Sequence, residues 1–243
     1  TGQSNTAVGL GSLYGNRSGN GNIAVGTRAL GNAATYNYNI AIGDSAMYGN
    51  NANENMAIGT FAMRNNNTGT TNSAVGNYAL MSNTTGNNST ALGHQALTNS
   101  NATGNTAVGY TAGSLVTSGT FNTFLGYNAQ VSSSSLVNAV AIGANALAGQ
   151  SNSMTLGSIS GINSATATTT VGIGVTTPGA RLHVRRSGAS GGTFIGNPSM
   201  IIEDNTQSYI QLSNPNTSEN GILSGNASTA IRSGIVFSAD SSV

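Results

Sequence analysis

Charge is nearly missing from this chain. Only 5% of its 243 residues are Asp, Glu, Lys or Arg, and Lys does not occur. The formal net charge is +1. That excludes electrostatically driven nucleic-acid binding as a main role, because such binding needs many basic groups to displace counterions. Cysteine is absent, so neither a disulfide nor a thiolate metal site can form, which is compatible with export. No apolar run approaches the ~20 residues of a membrane-spanning helix, and no stretch reads as a signal peptide. The expectation is therefore no direct membrane insertion. Proline is scarce, and none precedes Pro178, as an unbroken ladder of strands requires. A start at Thr1 and an end at Val243 suggest a piece of something longer.

Against these absences stands a repeat. Anchored on an apolar-Gly step, it recurs at Val8-Gly9, Val25-Gly26, Ile42-Gly43, Ile58-Gly59, Val75-Gly76, Leu92-Gly93, Val108-Gly109, Leu125-Gly126 and Ile142-Gly143. The spacings are 16 or 17 residues; Leu156-Gly157 and Val171-Gly172 continue the series at 14 and 15. A fixed short period is the mark of a solenoid. A low-charge chain with 34 Gly could be disordered on composition alone, but disorder needs no register.

Each column of the repeat has a physical task. Two before the Gly stands Ala (Ala7, Ala24, Ala41, Ala57, Ala74, Ala91, Ala107, Ala141), with Phe124 the exception. One before it is always Val, Ile or Leu. A second apolar pair follows three and four residues after, as in Ala29-Leu30 and Ala79-Leu80. The Gly reads as a bend that uses φ > 0 or a close backbone approach. Four before it lie Asn5, Asn22, Asn39, Asn55, Asn72, Asn105 and Asn122, whose amides can bond from coil to coil or cap a turn.

Neighbouring residues of a strand point to opposite faces. Pairs such as Ala24-Val25 and Ala74-Val75, or Ala29-Leu30 and Ala79-Leu80, would then be apolar on both faces, and so buried on both. One face fills the coil. The other needs a cover, and no helix-forming segment supplies it. We expect a second copy of the chain to do so, with the Ala columns letting subunits approach closely about an axis. The fold class expected is all-β: a homo-oligomeric parallel β-roll or β-solenoid of 14–17 residues per coil, followed by a small β-rich C-terminal domain. Residues 1–157 are the array, with two short strands and two turns per coil. About ten coils at the ~4.8 Å strand spacing make it roughly 45–50 Å long. Residues 158–192 are a transition: Pro178-Gly179 marks a turn, Leu182 and Val184 alternate with Arg181, His183 and Arg185 as a strand with one wet face, and Ser187–Gly192 is a linker. Residues 193–243 hold short strands at Met200–Ile202, Tyr209–Leu212, Gly221–Leu223 and Gly234–Phe237. They are too few for a robust core of their own and are expected to intertwine between chains.

The repeat resembles the heads of trimeric autotransporter adhesins (YadA-like), built on Asn-x-Ala-(Val/Ile)-Gly-x-x-Ala; the family coil is shorter than most coils here. The resemblance implies three parallel β-rolls about one axis, hence a homotrimer; the order three comes from it and from no residue count. Val171–Val184, and the stretch from Ile201-Ile202-Glu203-Asp204-Asn205 to Ile235-Val236-Phe237, is similar to phage-tail-fibre-like proteins that end in an endosialidase-type intramolecular chaperone, absent from this chain. Together these imply a cell-surface or extracellular fibre, or a virion tail fibre.

The titratable side chains give no catalytic pattern. Asp44 and Glu54 fall on neighbouring coils, and Glu203 and Asp204 would face opposite ways, whereas a glycosidase pair must face one cleft. His94 and His183, the only histidines, read as surface residues; there is no Ser-His-Asp spacing cue, and Gly172-x-Gly174 lacks the helix and third Gly of a phosphate loop. We expect no enzyme activity, no cofactor and no metal. Tyrosines are the candidates for ligand contact: Tyr14, Tyr36, Tyr38, Tyr48, Tyr78, Tyr110 and Tyr127 all lie in the array, with Tyr36, Tyr38, Tyr110 and Tyr127 put first and Tyr36-Asn37-Tyr38 the most suggestive group. Such rings can stack on sugars while their hydroxyls bond outward. The leading functional expectation is an adhesive fibre segment that binds a host or prey cell-surface glycan or protein by avidity. The alternative is a shaft that only spaces a recognition tip. A polysaccharide-degrading tailspike follows, and ice binding comes last because the column after the Gly is mixed (Thr27, Asp44, Thr60, Asn77).

Overall fold

The computed structural model describes residues 2–32, 35–185, 200–203, 220–226 and 229–237. It is all-β, with no helix among the described residues, and divides into two compact units, Thr1–Val171 and Gly172–Val243.

The first unit is a parallel β-solenoid. Its strands are β1 (Thr6–Val8), β2 (Ile23–Val25), β3 (Ile40–Ile42), β4 (Met56–Ile58), β5 (Ser73–Val75), β6 (Thr90–Leu92), β7 (Thr106–Val108), β8 (Thr123–Leu125), β9 (Gln130–Val131), β10 (Val140–Ile142), β11 (Leu147–Ala148) and β12 (Met154–Leu156). Ten of them form one sheet in the order β1-β2-β3-β4-β5-β6-β7-β8-β10-β12. The register is that of the sequence columns: Ala24 sits opposite Ala41, and Val25 opposite Ile42; Ala74 opposite Ala91, and Val75 opposite Leu92.

Most coils carry one strand, where two were expected; only β9 and β11 pair as a second ladder. The second apolar pair lies instead in a turn, and the backbone there explains its packing. Leu30, Met47, Met63, Leu80 and Leu97 all adopt φ near +50° (48–50°). A left-handed residue breaks the alternation of a strand, so both members of each pair turn inward. Ala29 and Leu30, and Ala79 and Leu80, are all fully buried. The left-handed region disfavours any side chain, yet a glycine in that place would leave the coil hollow. The turn's backbone groups stay paired across coils: Leu30 N–H donates to Ala46 C=O at 3.0 Å and Met47 N–H to Ala62 C=O at 3.0 Å.

The strand pairs also sort themselves differently from the expectation. The Ala columns do not face a neighbouring subunit. Ala24, Ala41, Ala57, Ala74, Ala107 and Ala141 fill the inside of the coil at 0% exposure. Their larger neighbours Val25, Ile58, Val75 and Val108 are half-buried, and Val8, Ile42, Leu92 and Leu125 are exposed. The narrow interior takes a methyl from the strand and a Leu or Met from the turn, which leaves the branched side chains outside.

Asparagine completes the core. The anticipated ladder forms: Asn39 N–H donates to Asn22 Oδ1 at 3.0 Å, Asn55 N–H to Asn39 Oδ1 at 3.0 Å, and Asn72 N–H to Asn55 Oδ1 at 3.0 Å. Each amide nitrogen donates to a carbonyl of the next coil, as from Asn55 to Gly69 at 2.8 Å and Asn72 to Gly86 at 2.7 Å. A second buried ladder runs through Asn50, Asn66 and Asn83, with Asn66 Nδ2 to Asn50 Oδ1 at 2.6 Å and Asn83 Nδ2 to Asn66 Oδ1 at 3.0 Å. Buried amides are tolerable only when satisfied on both sides, and a stack of identical coils supplies both partners.

The second unit contains a three-stranded sheet of β13 (Val171–Ile173), β14 (Leu182–Arg185) and β15 (Met200–Glu203), with β14 and β15 parallel, and an antiparallel hairpin of β16 (Asn220–Asn226) and β17 (Thr229–Phe237). His183 corrects the reading of β14. It is 2% exposed, while Leu182 and Val184 are half-buried, so the histidine points inward. Its Nδ1 accepts the Gly179 N–H at 3.1 Å, a bond from the Pro178-Gly179 turn. The expected linker at Ser187–Gly192 and strand at Tyr209–Leu212 lie outside the described residues.

Candidate functional site: a ladder of aromatic rings

The bend glycine places a row of rings on one corner of the solenoid. Gly59, Gly76, Gly93, Gly109 and Gly126 have φ between +132° and +139°. The chain turns there, and the next two side chains are carried to the outside. Five consecutive coils put an aromatic ring at this corner: Phe61, Tyr78, His94, Tyr110 and Tyr127. Successive centroids are 5.5, 5.8, 5.3 and 5.3 Å apart. Phe61 and Tyr78 are tilted by 40°, and Tyr78 meets His94 edge to face at 69°. His94, Tyr110 and Tyr127 are near-parallel, at 10° and 9°.

The parallel rings stack with centroids 5.3 Å apart, within the 4.5–7 Å range of aromatic pairs, and part of each ring stays open to solvent. Tyr110 is 47% and Tyr127 56% exposed. One end of the row is closed by the Arg64 guanidinium, 5.1 Å over the Phe61 ring, a cation–π contact. At the other end the coil after Tyr127 has Ala144 in the same place, so the row of rings stops there.

Of the four tyrosines singled out from the sequence, the structure brings Tyr110 and Tyr127 together. Tyr36 packs partly buried against the core. Tyr38 is 67% exposed and left-handed, at φ 57°; it lies over Gly21, where a Cβ would meet its ring carbon at 2.8 Å. Of the other three rings, Tyr78 counted only as one tyrosine of the array, His94 as a surface histidine, and Phe61 was not among the candidates. Phe61 and Tyr78 fall two residues after the Gly, the other three one residue after, so alignment by single columns separates them. A signal was nevertheless present: aromatic residues at either position in five consecutive copies.

His94 was expected at the surface but is half-buried, and its Nδ1 is buried with no hydrogen-bond partner. From Asn65 to Ala180 there is no Asp, Glu, Lys or Arg, so all but the Arg64 end of the ladder lies in uncharged chain. Asp44 and Glu54, the acidic residues of the solenoid, are exposed. Among the described residues no group of three or more His, Asp or Glu side chains gathers as a metal site would require, and no helix is long and apolar enough to cross a membrane.

Of the residues set out from the sequence as packing positions, Ala24, Ala29, Leu30, Ala74, Ala79 and Leu80 lie inside the coil, while Val25 and Val75 lie outside it, half-buried. The outer row is apolar without a break over ten strands, from Val8 to Leu156. No protein-family model, curated protein or solved structure matches the chain.

Proposed function

We propose that this chain is a segment of an adhesive fibre in which three copies pack their solenoids side by side and present a repetitive surface to a cell-surface glycan or protein. The observation that carries the reading is the outer stripe. Its aliphatic side chains recur at the strand spacing for roughly 45 Å, longer than the scattered apolar residues of an ordinary monomer surface. A second copy of the stripe matches it in both repeat and apolar character. The order three follows the resemblance to trimeric adhesin heads. The working principle is avidity: identical faces repeated along a rod turn weak contacts into durable attachment, which requires no catalytic group.

Light scattering tests the assembly. The expected species has three times the 24.2 kDa chain mass. A stable 24.2 kDa species at micromolar concentration would overturn the reading. Binding to immobilised cell-surface glycans and proteins then separates adhesin from shaft, since a pure shaft is silent on both.

A further inference from the structure

We infer that the ring ladder is a binding strip for an uncharged polysaccharide laid along the rod. This deepens the attachment reading and rests on it. Three observations converge. The first is shape: rings recur at 5.3–5.8 Å along the axis, so a ligand that meets one ring in register meets several only if it also carries rings in linear succession. The second is surface chemistry. Tyr110 and Tyr127 are about half exposed, so apolar ring surface is partly bare and carries hydroxyls beside it. A pyranose whose hydroxyls are equatorial has the matching pattern, with C–H groups on its faces and hydroxyls on its rim. The third is charge. Tyr78, His94, Tyr110 and Tyr127 lie in chain free of Asp, Glu, Lys and Arg, so beyond the Arg64 end the strip offers no row of Lys or Arg to pair with sialic acids, uronates, sulfates or phosphates. A β-linked neutral glycan, extended and flat-faced, fits all three.

The test is affinity electrophoresis of the full chain in gels containing hydroxyethylcellulose, a neutral β-linked glucan, or polysialic acid. The neutral polymer retards the wild-type chain, and 1 M salt, with a screening length of ~3 Å, leaves the retardation unchanged. Tyr110→Ala/Tyr127→Ala weakens it at least about tenfold. Phe121→Ala, which removes an exposed ring off the ladder, leaves it intact. Tyr110→Phe/Tyr127→Phe keeps the faces without the hydroxyls and loses only a few-fold; it also guards against an alanine variant that fails to fold, which circular dichroism reports. Retardation unaffected by the double alanine change in a folded chain, retardation by polysialic acid alone and abolished by salt, or none by the neutral polymer each overturns the inference. Light scattering on the same samples judges the fibre separately: a trimer that ignores the glucan sinks the strip and leaves the assembly standing.

Discussion

Phe124 occupies the space that Gly113 leaves empty. The column of Leu30, Met47, Met63, Leu80 and Leu97 has Gly113 as its next member, with φ +64°; a Cβ built there would meet the Phe124 ring at 2.7 Å. Phe124 in turn replaces Ala in the strand column and is fully buried. The coil swaps its large residue from turn to strand and conserves volume. Phe124→Ala is expected to destabilise by about 3–5 kcal/mol through the cavity it leaves, and Gly113→Leu by about 1–3 kcal/mol or more through overpacking. The double variant restores the ordinary repeat and should return to within about 1 kcal/mol of the parent, because contacting sites are not additive. Urea denaturation followed by circular dichroism measures all four; a double variant as unstable as the sum would refute the compensation.

The buried asparagine ladder yields a second expectation. Asn72 accepts the Ser89 N–H at 2.9 Å and donates to Gly86 C=O at 2.7 Å. Asn72→Ala leaves the Ser89 N–H unpaired inside the solenoid, while Gly86 C=O keeps its bond from Asn83 Nδ2 at 3.0 Å, so about 1–3 kcal/mol should be lost. Asn87 also accepts a backbone N–H, from Thr70 at 2.8 Å, but on the outer row; water can replace it, and Asn87→Ala should stay within about 1 kcal/mol. Ser89 is the weak rung, its hydroxyl reaching Ala102 C=O at 3.2 Å and Asn105 N–H at 3.3 Å. Ser89→Asn should raise the thermal midpoint, and a lower one would show that the rung cannot hold the larger amide.

The parts of this fold legible in the sequence were those governed by period. The parallel solenoid, the in-register columns, the bend at each Gly and the first asparagine ladder all follow from residues recurring at fixed offsets. What escaped was handedness of the backbone within the coil. Nothing in Ala29-Leu30 announces that Leu30 is left-handed, and without that fact an alternating strand is the natural reading. The same gap misplaced the interior: Ala24 and Val25 are both apolar, and only the coil's narrow width decides that the methyl goes in. The second ladder, seven residues after the Gly, was hidden because Ser100 and Val116 interrupt it. The ring ladder escaped as a row because Phe61 and Tyr78 are shifted by one residue from His94, Tyr110 and Tyr127, yet the bend delivers either position to the same corner.

The bend glycines should be the least replaceable positions. Gly43 has φ +132°, outside the region L-residues readily use, and an added Cβ would sit 2.6 Å from both the carbonyl carbon and oxygen of Gly59. The obstruction is backbone held in the ladder, which cannot swing aside. Gly43→Ala is expected to destabilise by at least about 3 kcal/mol, combining strain and clash. Gly149 is a matched control: no atom lies within 4 Å of its would-be Cβ and its φ is not positive. Gly149→Ala should be neutral or slightly stabilising, since alanine narrows the unfolded ensemble. Equal thermal midpoints for the two variants would mean that the bend is not rigid.

The outer stripe offers the sharpest test of assembly, because the same substitution has different consequences in one copy and in three. Val75 and Val108 point outward and are half-buried, and threonine has nearly their shape. Thr90, Thr106 and Thr123 already stand outward on neighbouring strand positions, so the backbone accepts threonine there. In a lone solenoid Val75→Thr/Val108→Thr puts two hydroxyls against water, and stability should shift by no more than about 0.5 kcal/mol per site. Where three solenoids bury the stripe, each hydroxyl loses water without gaining a partner, at about 1–3 kcal/mol per site. With two sites in each of three chains, the trimer should dissociate at concentrations where the parent remains whole. Light scattering across a dilution series reads this directly, and the far-ultraviolet spectrum should stay that of a folded solenoid. An unchanged mass over the full series would place the stripe outside any interface between copies and overturn its role in the proposed assembly.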